Sequence, residues 1–453
     1  MFPSFAAISI DGARAIGKTS TGRQRAKTIL DLDLPEMREL ISADPKYLSR
    51  VDTPVLIDEW QHVPEVWDRV RRLVDSNSAG KRFILAGSAA PVGAHLHSGA
   101  GRIIRFQMRP LSIAERSLAT PTVRVRELLS ADTPEIHGSS DVELRDYVRE
   151  ITASGFPQPR QMTDRARAVW LDGYIERVIT HDFTEQGHSI RQPELLRGWL
   201  RGYASATASA TTFANIGASL DLGEPTEPTK NTSITYRDVL SSLYLLDQVD
   251  AWSPSQKLLS RDALAPKHFL ADPALSARLL GLNEAKLMSA AAPATNTGDR
   301  ARLGDFFEAL VALSLQTYAA ANDAKKSHFR DHDGRHEIDF IIHRGDAEAV
   351  GIEVKLKSAV TDHDVRHLLW LKKSLPDHIV DLVVINTGTH AYRRQDGVVV
   401  FPLALLTALR TMHAPERLKQ LTVRHSHKAP VSGRRIQRAT FKCAPGIGWR
   451  ERR

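Results

Sequence analysis

The stretch FAAISIDGARAIGKT, Phe5 to Thr19, runs an apolar segment straight into a loop bracketed by two glycines and closed by a Lys-Thr pair. Phe5 to Ile10 reads as a buried strand. Gly12 and Gly17 supply the turn after it, where only small residues let successive backbone N–H groups converge on closely packed phosphate oxygens. The spacing is G-x-x-x-x-G-K-[ST], and it assigns Gly12, Ala13, Arg14, Ala15, Ile16, Gly17, Lys18, Thr19 and Ser20 to a bound nucleotide, ATP. Lys18 is expected to reach the β- and γ-phosphates and Thr19 to offer its hydroxyl to Mg²⁺.

A second segment supports that assignment. Val55-Leu56-Ile57-Asp58-Glu59 is an apolar strand ending in two acids, which supplies one carboxylate (Asp58) for the Mg²⁺ shell and one (Glu59) to polarise water. The strand-like runs Ile29–Leu34 and Phe83–Ser88 flank it in the chain, and Ile103–Met108 closes the series. Strands alternating with helical patterns predict an α/β fold with a parallel sheet covered on both faces. The helical pattern just after the loop is polar and holds Gly22, so a weak first helix and slow turnover are expected.

At 453 residues the chain has room for about three domains at roughly 150 residues each. The breaks divide it into residues 1–125 (the parallel-sheet ATPase domain), 140–260 (a helical region), 261–410 (a second α/β domain) and a tail, 413–453. No apolar run approaches the roughly 18 residues of a spanning helix, so no membrane partner is expected. The single cysteine, Cys443, offers neither an internal disulfide nor a cysteine metal site, and the expected compartment is the cytoplasm. The formal charge of +8 is concentrated in the tail, which carries 11 Lys and Arg against Glu416 and Glu451 and leaves the rest near neutral. That tail, rich in Pro and Gly, reads as poorly ordered. Two readings stand for it: a sequence-blind neutraliser of DNA or RNA phosphates, or a solvated extension.

In the helical region, Trp170, Tyr174 and Val178 recur every four residues and read as core. The patterns Leu195–Tyr203 and Ile234–Val249, joined by a loop-rich stretch, form either a nucleic-acid-contacting helix-turn-helix or a unit that packs domains together.

Further on, Glu308 lies in an amphipathic helical pattern, Asp339 in the strand EIDFII, and Glu353 and Lys355 in GIEVK, where period-two alternation puts them on one strand face. Three carboxylates and a lysine at one sheet edge are what phosphodiester cleavage needs, with Asp339 and Glu353 holding a divalent ion. Glu-x-Lys on a strand also marks an ordinary solvated ion pair, and both readings stay open here.

The series GARAIGKT, LDLD, ADPKYL, VLIDEWQHVP, ILAGSA and GRIIRFQMRPLSIAE, continued by SGFPQPR, KHFLADPAL and GDFFEAL…EIDFII…IEVK, resembles bacterial and archaeal AAA-type P-loop ATPases that carry a carboxyl-terminal domain of unknown function. The resemblance runs from Ile8 to about Leu406. It implies an N-terminal P-loop parallel-sheet ATPase, a middle helical region with winged-helix character, and a C-terminal α/β domain similar to PD-(D/E)xK nucleases. By position, Ser88 falls at the sensor residue, Arg102 or Arg105 at the charge-stabilising arginine, and Glu308, Asp339, Glu353 and Lys355 at the nuclease-like site. It also implies a homo-oligomer. Relatives have a lead-in segment covering the adenine, so weak base contacts or a misassigned start are expected. The functional expectation is an Mg²⁺-dependent ATPase coupled to a nuclease-like domain that acts on or binds DNA or RNA. Its alternative is an ATP-driven regulatory switch or assembly protein with a catalytically inactive nuclease-like module.

Overall fold

Five short apolar runs build the amino-terminal sheet: β1 (Ala7–Asp11), β2 (Thr28–Asp31), β3 (Val55–Asp58), β4 (Phe83–Ala86) and β5 (Ile103–Gln107). All pair in parallel, in the order β2-β3-β4-β1-β5. β1, β3 and β4 are buried along their whole length, as strands covered on both faces must be. One cover is the helix Glu65–Ser76, whose Val66, Trp67, Val70 and Val74 face the sheet. The computed structural model describes residues 2–87, 101–130, 132, 134–188, 190, 192–218, 228–254, 265–292, 297–331, 334–345 and 348–408. Ser88, Cys443 and the basic tail lie outside the described residues.

The helix after the loop is Lys18–Arg23, and its Gly22 has a packing role that the sequence reading did not assign. A Cβ there would stand 2.7 Å from Leu56 Cδ1, so the glycine lets this helix dock closely on β3.

The middle region packs the helices Asp164–Arg177, Pro193–Ser205 and Lys230–Ser242 around Phe156, Tyr174, Trp199 and Tyr203, while the helix Leu144–Ala153 puts Tyr147, Val148 and Ile151 into the apolar cluster of Phe306, Phe307 and Leu310. The pattern Ile234–Val249 is not one helix. Tyr244 takes φ 60° and reverses the chain, after which Leu246–Val249 becomes a strand with alternating burial. Here β6 is Val123–Arg124, β7 is Leu246–Val249 and β8 is Lys267–Leu270, and β7 pairs antiparallel with β8. The boundary expected at residue 261 therefore falls between two strands of one sheet.

The last sheet comprises β9 (Lys325–Arg330), β10 (Glu337–Arg344), β11 (Glu348–Val354), β12 (Ile379–Asn386), β13 (Tyr392–Arg393) and β14 (Val399–Pro402), ordered β13-β14-β12-β11-β10-β9. Strand alternation sorts its side chains. Phe340, Ile342, Val350 and Ile352 face the long helix Thr297–Ala320, while Ile341, Leu382 and Val384 face the helix Asp362–Ser374. The long helix is not amphipathic as expected; it is buried on nearly every side from Leu303 to Ala319. Its outer face meets the segment following β5, where Ile113 N–H donates to Ser314 Oγ at 3.2 Å and Ala114 N–H to Tyr318 Oη at 2.9 Å. The pair β6 with β15 (Leu406–Thr407) ties that same segment to the end of the last domain.

Candidate functional site

β1 and β3 run parallel with β4 between them, so the loop after β1 and the acids after β3 emerge at one carboxyl edge. Gly12 holds φ 146°, and a Cβ there would lie 2.4 Å from the Met108 carbonyl oxygen. Gly17 holds φ 97°. Neither position accepts a side chain without strain. Lys18 folds back into the loop, its Nζ donating to the carbonyls of Gly12 and Ala13 at 2.9 Å each. Thr19 Oγ1 donates to Asp58 Oδ1 at 3.1 Å. A hydroxyl beside one carboxylate, next to an ammonium that can turn outward, is a donor set that fits Mg²⁺ and a triphosphate, because Mg²⁺ keeps several waters and takes few protein ligands.

Burial lowers the Lys18 pKa to about 8, although Glu59 and Asp58 pull it upward. Burial raises Asp58, against the hydrogen bond from Thr19. A polyphosphate would bind the ammonium form, which predominates below pH about 8 and declines above it. The affinity for an ATP analogue is therefore expected to hold from pH 6.5 to 7.5 and to fall by up to about tenfold per unit beyond pH 8. Equilibrium titrations between pH 6.5 and 9.5 read this directly, and a flat profile contradicts it.

Glu59 leaves β3 with φ 49°, which turns its carboxylate away from the strand direction. Gln61 donates its amide to that carboxylate. Gly87, at the end of β4, leaves room for this arrangement, since a Cβ would meet Gln61 Oε1 at 2.5 Å and Trp60 Nε1 at 2.8 Å. Sequence reasoning assigns no role to Gln61; its only signal was an amide two places after the acid pair. Arg105 Nε lies 3.3 Å from Asp11 Oδ2, on the same sheet edge as the loop. Arg102 precedes β5, at the opposite edge, and pairs with Asp75 at 2.8 Å. Of the two arginines, only Arg105 stands near the loop of its own chain.

The middle region reaches this edge in two places. A cavity of about 210 Å³ is walled by Asp11, Trp60, Gly87 and Arg105 on one side and by Gln186, Ser242 and Tyr244 on the other. Arg14, inside the loop, pairs with Asp182 at 3.5 Å and also with Glu185, two acids that Arg177 contacts as well. Asp182 ends a π-helical turn, Val178–Asp182, and is buried. Ala13 and Ile16 enter the same apolar cluster as Phe156 and Tyr174.

The carboxyl-terminal constellation converges, but around a residue to which the sequence reading gave no role. Lys267, first residue of β8, places Nζ 3.0 Å from Glu308 Oε1, 3.1 Å from Asp339 Oδ1 and 3.5 Å from Glu337 Oε1. Asp339 Oδ2 accepts the Val354 N–H at 2.8 Å, and Lys355 Nζ donates to Glu353 Oε2 at 2.5 Å. Glu353 Oε1 is buried with no hydrogen-bond partner among the described residues. Burial pushes the Glu308 and Glu353 carboxyls up to about 8 each, whereas Asp339, equally buried, is held low by Lys267, Lys355 and the Val354 N–H. Among the described residues, no group of three or more His, Cys, Asp or Glu side chains is arranged to hold a metal ion. Lys267 thus holds Glu308 and Asp339, two of the carboxylates expected at the nuclease-like site, while Lys355 holds Glu353. A lysine opening the apolar run KHFL was the available signal.

Residues 4–117 match an AAA domain, 144–286 a domain of unknown function (DUF8612) and 303–406 another domain of unknown function (DUF4143). The amino-terminal portion thus carries a P-loop ATPase-type domain. Uncharacterized proteins of Mycobacterium tuberculosis and Mycobacterium bovis are each 23% identical to this chain over 406 residues, covering 87% of it and 79% of their own length. Among solved structures, the Walker-type ATPase PABY2304 of Pyrococcus abyssi is similar with a TM-score of 0.34 and 14% identity, over 61% of this chain and 91% of that one. No described helix is long and apolar enough to cross a membrane.

Proposed function

We propose that this chain binds ATP with Mg²⁺ at the Gly12–Ser20 loop and hydrolyses it, and that the middle region senses the outcome. The convergence of Lys18, Thr19 and Asp58 at one sheet edge carries the reading, with Thr19 Oγ1 already 3.1 Å from Asp58. In this reading Lys18 leaves the Gly12 and Ala13 carbonyls to meet the phosphates, Thr19 and Asp58 hold Mg²⁺, and Glu59, steadied by Gln61, takes a proton from the attacking water. Mg²⁺, when bound, offsets the charge on the β- and γ-phosphate oxygens. Arg14 and the cavity wall of Gln186, Ser242 and Tyr244 give the middle region a direct contact with the hydrolytic edge. The test is phosphate release from ATP by the purified chain in Mg²⁺ against its Lys18→Ala variant. Equal release by both defeats the proposal. Repeating the assay with duplex DNA, single-stranded DNA and RNA tests the nucleic-acid partner, since a true partner changes the turnover.

A second reading of the carboxyl-terminal domain, as a binding or regulatory module that does not cleave, is favoured by the ammonium of Lys267 on Asp339, one of the two carboxylates expected to hold metal.

A further inference from the structure

We infer that Lys267 is the resident cation of the carboxyl-terminal carboxylate cluster and that, by holding Glu308 and Asp339, it closes the site to metal. An ammonium has three N–H donors, and three carboxylates surround this one, from the long helix (Glu308) and from β10 (Glu337 and Asp339). The side chain of Lys267 is only 2% exposed, and its Nζ also lies 5.8 Å from the centroid of the Phe340 ring. Its backbone is fixed on both sides, by Val249 of β7 and by a bridge to Ala210. The amine therefore has no short path to solvent.

A divalent ion binds carboxylate oxygens at roughly 2.0–2.6 Å, closer than an ammonium does. An ion using the same Glu308 and Asp339 oxygens would press against the Lys267 ammonium, and like charges in a buried site repel strongly. The two cations exclude one another. Both Asp339 oxygens already hold a donor, because the second one accepts the Val354 N–H. Glu353, the other expected ligand, is engaged by Lys355 through Oε2; its Oε1 has no hydrogen-bond partner among the described residues, and the Glu353→Gln variant below reports on that oxygen. Lys267 of β8 and Lys355, just after β11, thus place two ammonium groups among the four acids of the cluster. The inference deepens the non-cleaving reading of this domain. It can fail separately from the ATPase proposal, because none of these residues belongs to the nucleotide loop.

The test is Mn²⁺ binding followed by electron paramagnetic resonance on the nucleotide-free full-length chain, comparing the parent, Asp339→Asn, Glu353→Gln, Lys267→Met and Lys267→Met/Asp339→Asn. The parent and its two carboxylate variants are expected to bind Mn²⁺ identically. Lys267→Met is expected to gain one site at least tenfold tighter than any in the parent, and the added Asp339→Asn to remove it. A parent site that either carboxylate substitution abolishes overturns the inference, and so does a folded Lys267→Met that gains nothing. If Lys267→Met does not fold, the comparison of the parent with Asp339→Asn and Glu353→Gln decides alone: loss of a site overturns, and identity supports.

Discussion

Replacing Glu59 with Gln is expected to lower ATP turnover by about 10²–10³-fold while nucleotide affinity stays within about threefold. The substitution keeps the shape of the side chain and removes its charge and its capacity to accept a proton. Affinity is set by other groups, namely the Gly12–Gly17 backbone, Lys18, and the Thr19–Asp58 pair, and none of these hydrogen-bonds to Glu59. The local geometry supports a dedicated role. Glu59 takes a left-handed backbone conformation that a non-glycine residue adopts only when its surroundings enforce it, and Gln61 grips its carboxylate. Gln61→Ala should then act through Glu59, with a smaller loss in kcat and little change in KM. Steady-state phosphate release beside equilibrium binding separates the effects. Unchanged turnover in Glu59→Gln would assign proton transfer elsewhere; lost binding would make Glu59 part of the nucleotide cradle.

The loop and the acids were legible in the sequence because their chemistry is local. Eight consecutive residues specify the phosphate turn, and the order strand, loop, helix follows from hydrophobic period alone. Gly22 was read only in part for the opposite reason: intrinsic propensity counts it as a helix weakness, and only the approach of Leu56 from β3 shows what it permits. Tyr244 broke a helical pattern that continued in the residue types, since a positive φ leaves no mark in hydrophobicity. Lys267 escaped notice because its partners come from residues 308, 337 and 339, and no spacing rule links those positions to it.

Several motifs that carried the family resemblance turn out to be joints. Arg116, from the segment after β5, is buried and donates to the backbone and carboxylate of Glu150, to which Arg160 also donates. Asp272 accepts Ser154 Oγ–H at 2.8 Å and the Gly155 N–H at 2.5 Å. A Cβ on Gly155 would lie 2.8 Å from both Arg116 Nη2 and Pro110 Cβ. Thus RPLSIAE, SGFPQPR and ADPAL, far apart in the chain, close on one another at a single seam. Their residues hold the nucleotide-binding half against the helical region, which is a mechanical rather than a chemical reason for such sequence to be distinctive.

The strongest such joint lies at Asp247 on β7. One oxygen receives Lys326 Nζ of β9 at 2.9 Å and the other receives Arg109 Nη1, two residues past β5, at 3.2 Å. One carboxylate therefore links the ATPase sheet, the middle pair of strands and the last sheet. Asp247→Asn would leave the charge of Lys326, whose side chain is fully buried, without a compensating anion, although the Ala312 carbonyl and the rings of Phe269 and Phe340 remain beside it. Breaking one side of a buried pair costs about 3–5 kcal/mol, chiefly through the charge left without compensation, so the urea midpoint should fall accordingly. Arg109 is less exposed to this loss, because it also donates to Gln107 at 2.8 Å. The double substitution Asp247→Leu/Lys326→Met removes both buried charges and is expected to recover most of the stability. If the double variant stays stable while ATP turnover loses its response to changes in the carboxyl-terminal domain, the carboxylate serves communication between sheets more than cohesion. If Asp247→Asn costs under about 1 kcal/mol, Lys326 has found water by local opening, and the seam is looser than these distances require.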